Sequence, residues 1–445
     1  MHPVMLVPAL RALCCAVALC ALTSGAQAHL TLMHGFADYA SALLWIQAEQ
    51  EGPVTVSWHA RDGTERNTTV QARNVEERVT LVRLTDLAPG TEVPYAVSGD
   101  AERREGTLRT QAYWRRPADA EPLTIAIGSC FFLGDDTGPW QDRGYGGGYE
   151  VFDAIAAQRP DLMVWMGDNL YFQAPDELDP VAMAARYRRQ RTFPPLQKLL
   201  TATAHVAIWD DHDYGPNDAD LSYTMKGESL RLFRRYWANP SYGLPGVRGV
   251  FGRVRLGDVD IFLLDDRWYR TANGMRDGPG KTMFGAAQLE WLRSALVYSE
   301  APIKLVVNGS QLFNRANRFE GWPRYATEQQ EFLRWLADQK VDGLLFASGD
   351  RHFGELLRVT RDGGDYPLYE FTSSPLTSRP FDIRDPAERN NADAVTGTFF
   401  ARRQFGLIRV TGPSNARHIA FESHDSAGVL LWHHEIEASE LRSSR

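Results

Sequence analysis

DLMVWMGDNLY, residues 161–171, passes from apolar to polar within a single step. Leu162 to Met166 form an unbroken apolar run, the pattern of a strand buried on both faces, and Gly167-Asp168 ends it. The same figure recurs along the chain. LTIAIG leads to Cys130, HVAIW to Asp210, Asp211 and His212, and DIFLL to Asp265 and Asp266. IKLVV leads to Asn308, and LLFASG to Asp350 and His352. Between these runs lie amphipathic stretches: YEVFDAIAAQ, a segment from Val181 to Leu200, GESLRLFRRYW, GAAQLEWLRSAL and TEQQEFLRWLADQ. Strands alternating with helices predict an α/β sheet covered on both sides. Ligands bind such sheets beyond the carboxyl ends of the strands, and that is where the polar residues fall.

Taken singly, each polar residue has an ordinary explanation. An Asp after a strand caps a helix or forms a turn. A lone Cys130 is a small core residue, Tyr171 packs with its hydroxyl bonded, and His212 is a half-buried imidazole. Asp265 and Asp266 have Arg267 beside them. Charge speaks for the combination. From Leu199 to Met225 there is no Lys or Arg, yet the stretch holds Asp210, Asp211, Asp213, Asp218 and Asp220. Clustered carboxylates without counter-charge raise one another's pKa, and bound cations reverse that. Carboxylate and Asn suit hard ions, while thiolate and imidazole suit a transition metal, so the set points to two unlike metals.

Residues 29–115 read differently. LLWIQAE, VTVSWHA, ERVTLVRL, VPYAVSGD and EGTLRTQ are short strands separated by turn residues, which predicts a small all-β domain of fibronectin type III or Ig-like kind. Residues 122–445 form the second domain, and its β-rich tail runs from ELLRVTR to VLLWHHEI. Residues 1–28 carry Arg11, an apolar ALCCAVALCAL and a terminal Ala26-Gln27-Ala28, the layout of a cleaved export signal. Cleavage leaves Cys130 as the sole cysteine and no membrane span, and places the protein in the periplasm or outside the cell. The chain has 445 residues, is 44% hydrophobic and 23% charged, and carries a net charge of −8, which becomes −9 without Arg11. That balance argues against general nucleic-acid or anionic-membrane binding.

Five motifs in order, GSC (128–130), MGDNLY (166–171), WDDHD (209–213), LLDDRWYR (263–270) and SGDRHF (348–353), resemble those of the PhoD-like alkaline phosphatases, within the calcineurin-like metallophosphoesterase superfamily. The resemblance implies a four-layer α/β/β/α sandwich preceded by the small β domain. It implies Cys130, Asp168, Tyr171, Asp211, Asp350 and His352 as metal ligands. Cys130 and Tyr171 would serve ferric iron, with calcium alongside, in a dinuclear or trinuclear site bridged by Asp168. It gives His212 the catalytic role and Asn169 and Arg351 the substrate. The chain departs from relatives with a GDYxYE block at Asn169 and Phe172, and Phe131 replaces a Gln common after the Cys.

The expected activity is hydrolysis of small phosphate esters by water activated at two metals. Two alternatives stand beside it. One is a phosphodiesterase acting on phospholipids or nucleotides with the same metals. The other is a non-catalytic phosphate- or glycan-binding surface protein.

Overall fold

Buried apolar strands set the architecture of the computed structural model, which describes residues 29–443 apart from 135–142, 362, 382 and 384. The export segment 1–28 and part of the glycine-rich loop after Phe132 thus lie outside the described residues. The first seven strands are β1 (Thr31–Ala37), β2 (Ala42–Gln47), β3 (Gly52–His59), β4 (Glu65–Ala72), β5 (Val79–Leu84), β6 (Glu92–Gly99) and β7 (Glu102–Arg109). They form two facing sheets, ordered β1-β2-β5 and β4-β3-β6-β7. Strand β2 is buried along its whole length. Its side chains alternate between two cores: Leu44 and Ile46 enter the core of the sandwich, while Leu43 and Trp45 enter the main core of the rest of the chain. Met33 and Val79 join Trp45 there, and the Trp45 indole donates to the carbonyl of Arg235 at 2.8 Å.

The remainder alternates as its pattern predicts. In chain order the elements are β8 (Leu123–Gly128), α1 (Val151–Ala157), β9 (Leu162–Met166), α2 (Pro180–Arg191), α3 (Gln197–Ala202), β10 (Ala204–Ile208), α4 (Asp211–Tyr214) and α5 (Lys226–Tyr236). Then follow β11 (Gly252–Leu256), β12 (Val259–Leu263), α6 (Ala286–Tyr298), β13 (Ile303–Val307), α7 (Ala326–Asp338) and β14 (Leu344–Ser348). The chain ends with β15 (Glu355–Val359), β16 (Leu368–Thr372), α8 (Pro386–Arg389), β17 (Gln404–Thr411), β18 (His418–Asp425) and β19 (Leu430–Glu437). The helix expected from Val181 to Leu200 is in fact two. Pro194 and Pro195 lack the amide hydrogens that would continue α2, and the chain restarts as α3.

Two six-stranded sheets result, ordered β10-β9-β8-β17-β18-β19 and β11-β12-β13-β14-β16-β15. Within them β8, β9 and β10 run parallel, as do β12, β13, β14 and β16. The sheets pack face to face: Phe371 of β16 meets Phe421 of β18 edge-on and Trp432 of β19 at 5.0 Å between centroids. Helices cover the outer faces. Trp291 of α6 lies against Phe262 of β12, and Phe152 of α1 against Trp165 of β9. This is the four-layer sandwich behind a small β domain. Parallel strands end together, so Cys130, Asp168, Asp211, Asp266, Asn308 and Asp350 emerge along the upper edges of the two sheets.

Candidate metal centre

The two sheet edges approach closely because glycines sit where they cross. A Cβ on Gly309 would lie 2.6 Å from Cγ of Asp210, and one on Gly349 would overlap the Ser129 side chain. A main-chain bond ties the crossing: Leu376 N–H, after β16, donates to the carbonyl of Ser129, after β8, at 2.8 Å. The backbone turns sharply just after the strands. Cys130, Asp168, Asp350 and His352 all have left-handed φ, from 51 to 65°. Non-glycine residues adopt that region at a cost, and such strain gathers at functional sites.

One corner joins Cys130, Asp168 and His352, whose ligand atoms all lie within 4.8 Å of one another. The Tyr171 hydroxyl closes it, 3.2 Å from Oδ2 of Asp168 and 3.1 Å from Nε2 of His352. A second corner joins Asp168, Asp211 and His212. Asp168 belongs to both, with Oδ2 toward Cys130 and Tyr171 and Oδ1 accepting the His212 amide at 3.2 Å. Asp211 further groups with Asp218 and Glu320, and Glu320 with Asp210 and Asp350.

Buried atoms in this cluster lack partners. Oδ1 of Asp211, Oδ2 of Asp350, Oδ2 of Asp210, Oδ1 of Asn308 and Nδ1 of His352 have no hydrogen bond among the described residues. Buried polar groups are nearly always paired, so acceptors converging on one place fit cations. The protonation balance agrees. Burial first, then neighbouring carboxylates, push Asp168 and Asp350 well above the ordinary range. Burial and Asp168 push the Cys130 thiol and Tyr171 phenol up likewise. Asp211 goes the other way: burial opposes its charge, but His212 and Arg267 outweigh it.

Arg267 keeps its sequence neighbour Asp266 at 3.8 Å but has closer partners elsewhere. It is fully buried, and it reaches past Asp266 to pair with Asp210 and Glu320. Its Nε donates to Asp210 at 2.6 Å. Asp265 instead caps the following turn, accepting from Trp209, Arg267 and Trp268. So part of the missing counter-charge beside Asp210 is an arginine 57 positions away. Its charge also reaches Asp350, but it is not among the main influences on Asp168 or Cys130.

Two expected substrate contacts already have protein partners. Asn169 is 1% exposed, and its amide donates to the Ile208 carbonyl at 2.7 Å and to Asp213 at 2.6 Å. It therefore braces the start of α4. Asp213 helps by accepting from the Asp210 amide at 2.6 Å, and burial raises its pKa to about 7. Arg351 is spent on Glu388, its Nε 3.0 Å from Oε1. His212 by contrast is half-buried, its ring 4.2 Å from that of Tyr171. Glu320 has no run or spacing that marks it in the sequence. Asp218 stands out in the sequence only as an open candidate at the rim of the site. Its amide donates to Asp211 at 2.8 Å, and burial followed by Glu320 raises its pKa to about 6.

A family model described as PhoD-like phosphatase matches residues 139–420. The chain belongs to the PhoD-like phosphatase family. Residues 32–111 match a second model, described only as a domain of unknown function. Alkaline phosphatase D of Bacillus subtilis (strain 168) is 22% identical over 315 residues, which are 59% of this chain and 52% of that protein. The chain thus spans about half the length of that curated relative. A solved structure of PhoD superposes with a TM-score of 0.73 at 17% identity, covering 93% of this chain and 92% of that one. A purple acid phosphatase, PPD1 from yellow lupin (Lupinus luteus), superposes with a TM-score of 0.67 at 10% identity, covering 91% and 73%. At those identities the likeness concerns the fold. The fold is the metallophosphoesterase fold, and the cluster lies on its strand edge. Among the described residues no helix is long and apolar enough to cross a membrane.

Proposed function

We propose that this PhoD-like family member is an exported, metal-dependent phosphoesterase that hydrolyses small phosphate esters. The supporting observation is the single carboxylate of Asp168, shared by a Cys130–Tyr171–His352 corner and an Asp211–His212 corner. Cys130, Asp168, Tyr171 and His352 suit ferric iron, because thiolate, phenolate and imidazole prefer a transition metal. Asp211 and Asp350, with Asp168, suit calcium, and Asp218 and Glu320 extend that oxygen-rich side. When bound, such ions supply an activated water and neutralise charge on the phosphoryl oxygens.

The chain's own residues do the rest. Asp168 holds the two corners at fixed separation. His212 sits beside Asp211, where burial lowers its pKa and the Asp211 carboxylate opposes that shift. From that position it stabilises charge on the leaving oxygen or passes it a proton. Asn169 and Asp213 hold α4, and with it Asp211 and His212, in place. Arg267 balances Asp210 and Glu320 without occupying the Asp168 group.

The test combines metal quantification with assays of an aryl phosphate monoester and its diester on wild type and Cys130→Ala. The expected result is bound iron and calcium, hydrolysis of at least one ester, and loss of iron in the variant. Absence of both metal and hydrolysis in the wild type would overturn the proposal. The ratio of monoester to diester rates decides between the phosphatase and phosphodiesterase forms. Export has its own check: the mature protein secreted by its host should begin at His29.

A further inference from the structure

One side of the centre is acidic, with Asp211, Asp218 and Glu320; the other is aromatic. Three separate loops bring rings to the SGDRH turn. Phe381 lies against His352 at 4.4 Å between centroids, and its amide donates to the His352 carbonyl at 3.1 Å. Tyr145 meets His352 edge-on at 6.1 Å, and Phe132 spans from Tyr145 (5.3 Å) to Tyr171 (5.1 Å). Phe319 stacks on the Arg351 guanidinium at 4.7 Å. The loops are tied together. Arg403 donates to the Gly144 carbonyl at 2.7 Å and to those of Thr377 and Ser378.

Packing accounts for Phe132 and Tyr145 but not for the two outer rings. Phe319 remains 64% exposed and Phe381 37%. Both face the rim rather than the core. Holding aromatic rings open to water beside a reaction centre forgoes their burial energy, and a ligand face recovers it.

We propose that this aromatic collar binds the leaving group, so that the enzyme favours phosphate esters carrying a planar aromatic moiety, an aryl group or a nucleobase. The proposal rests on the phosphoesterase reading and names its substrate class. The phosphate sits toward the Asp168 side and the ring against Phe381 and Phe319. Stacking of a base on aromatic side chains is worth enough to change affinity by roughly tenfold or more.

The test uses phosphonates, which bind but are not hydrolysed. Calorimetric titration of the metal-loaded protein compares phenylphosphonate with methylphosphonate. Phenylphosphonate should bind at least about tenfold tighter, equivalent to ~1.4 kcal/mol. Phe319→Ala and Phe381→Ala should each close most of that gap, and Phe319→Ala should leave methylphosphonate affinity and metal content unchanged. Phe319 does not touch His352, so its variant carries the test even where Phe381→Ala loosens the metal site. Equal affinities in the wild type, or a gap that survives in both variants, would overturn the collar. A phenyl preference in a protein that hydrolyses no ester would instead overturn the phosphoesterase reading and leave the collar standing.

Discussion

Tyr171 is the residue on which the metal assignment can be read directly. Its hydroxyl lies 3.1–3.2 Å from His352 and Asp168, in surroundings that keep the phenol protonated unless a cation is present. A phenolate on ferric iron absorbs visible light. The iron-loaded wild type should therefore show a visible charge-transfer band that Tyr171→Phe loses, with at least a tenfold fall in hydrolysis. A second residue reports on pH. Glu355 is fully buried, accepts from Gln311 and Asn314 on Oε1 only, and is raised to about 8 by burial. Unfolded, it would titrate near 4.5. Between those values the native state holds the extra proton, so its contribution to stability is complete below pH 4.5 and is lost as pH rises through 8. Glu355→Gln should remove that slope and stabilise the protein by roughly 2–4 kcal/mol above pH 8, with little change at pH 4. Urea unfolding at both pH values measures it.

At the scale of elements, the site depends on how closely two sheet edges can cross. Gly309 follows β13 and faces Asp210 at the end of β10. An added methyl has nowhere to go, because Asp210 is pinned by Arg267. Gly309→Ala should cost about 1–3 kcal/mol and lower both metal content and turnover. Arg267→Met leaves Asp210 buried without its cation and should cost roughly 3–5 kcal/mol in denaturant unfolding. These two predictions also mark what was legible in the sequence. Strand ends such as MVWMGD and AIWDDHD could be read because an apolar run and its stop are local. The break at Pro194-Pro195 was equally local and was overrun by the periodicity around it. Arg267 was paired with the acids beside it, and Asp266 does lie 3.8 Å away, but its hydrogen-bonded partners Asp210 and Glu320 lie 57 and 53 positions off. Glu320 was silent for the same reason: an acid in a loop acquires meaning only from what the fold brings to it. Asn169 and Arg351 were read from motif position; the fold ties the Asn169 side-chain nitrogen to Asp213 and Ile208 and Arg351 to Glu388, while Oδ1 of Asn169 has no partner among the described residues.

Across the whole molecule, the small β domain and the metal-bearing domain should behave as one folding unit. Alternate residues of β2 serve two cores, so this middle strand of sheet β1-β2-β5 has no face to show water, although β5 at the edge exposes Leu81 and Arg83. Gly35 of β1 records how tight the seam is, since a Cβ there would come within 2.5 Å of the Ala238 Cβ. Trp45 is the largest side chain crossing it. It is fully buried, bonded to the Arg235 carbonyl, and packed 6.0 Å from the Tyr236 ring at the end of α5. If the domains were independent, Trp45→Ala would split unfolding into two transitions and spare one of them. Shared cores predict a single transition, detected alike by fluorescence and circular dichroism, displaced by about 3–5 kcal/mol. Val56→Ala, confined to the sandwich core, should shift the same single transition by a smaller amount. The coupling has a consequence at the opposite end of the structure. Ions that bind only the native cluster stabilise everything that unfolds with it. Added metal should therefore raise the melting temperature reported by probes placed in the β domain, far from Asp168. In Trp45→Ala the metal-induced shift should persist, because the mutation weakens the seam without touching a ligand. A β-domain signal indifferent to metal in the wild type would show that the two parts melt separately.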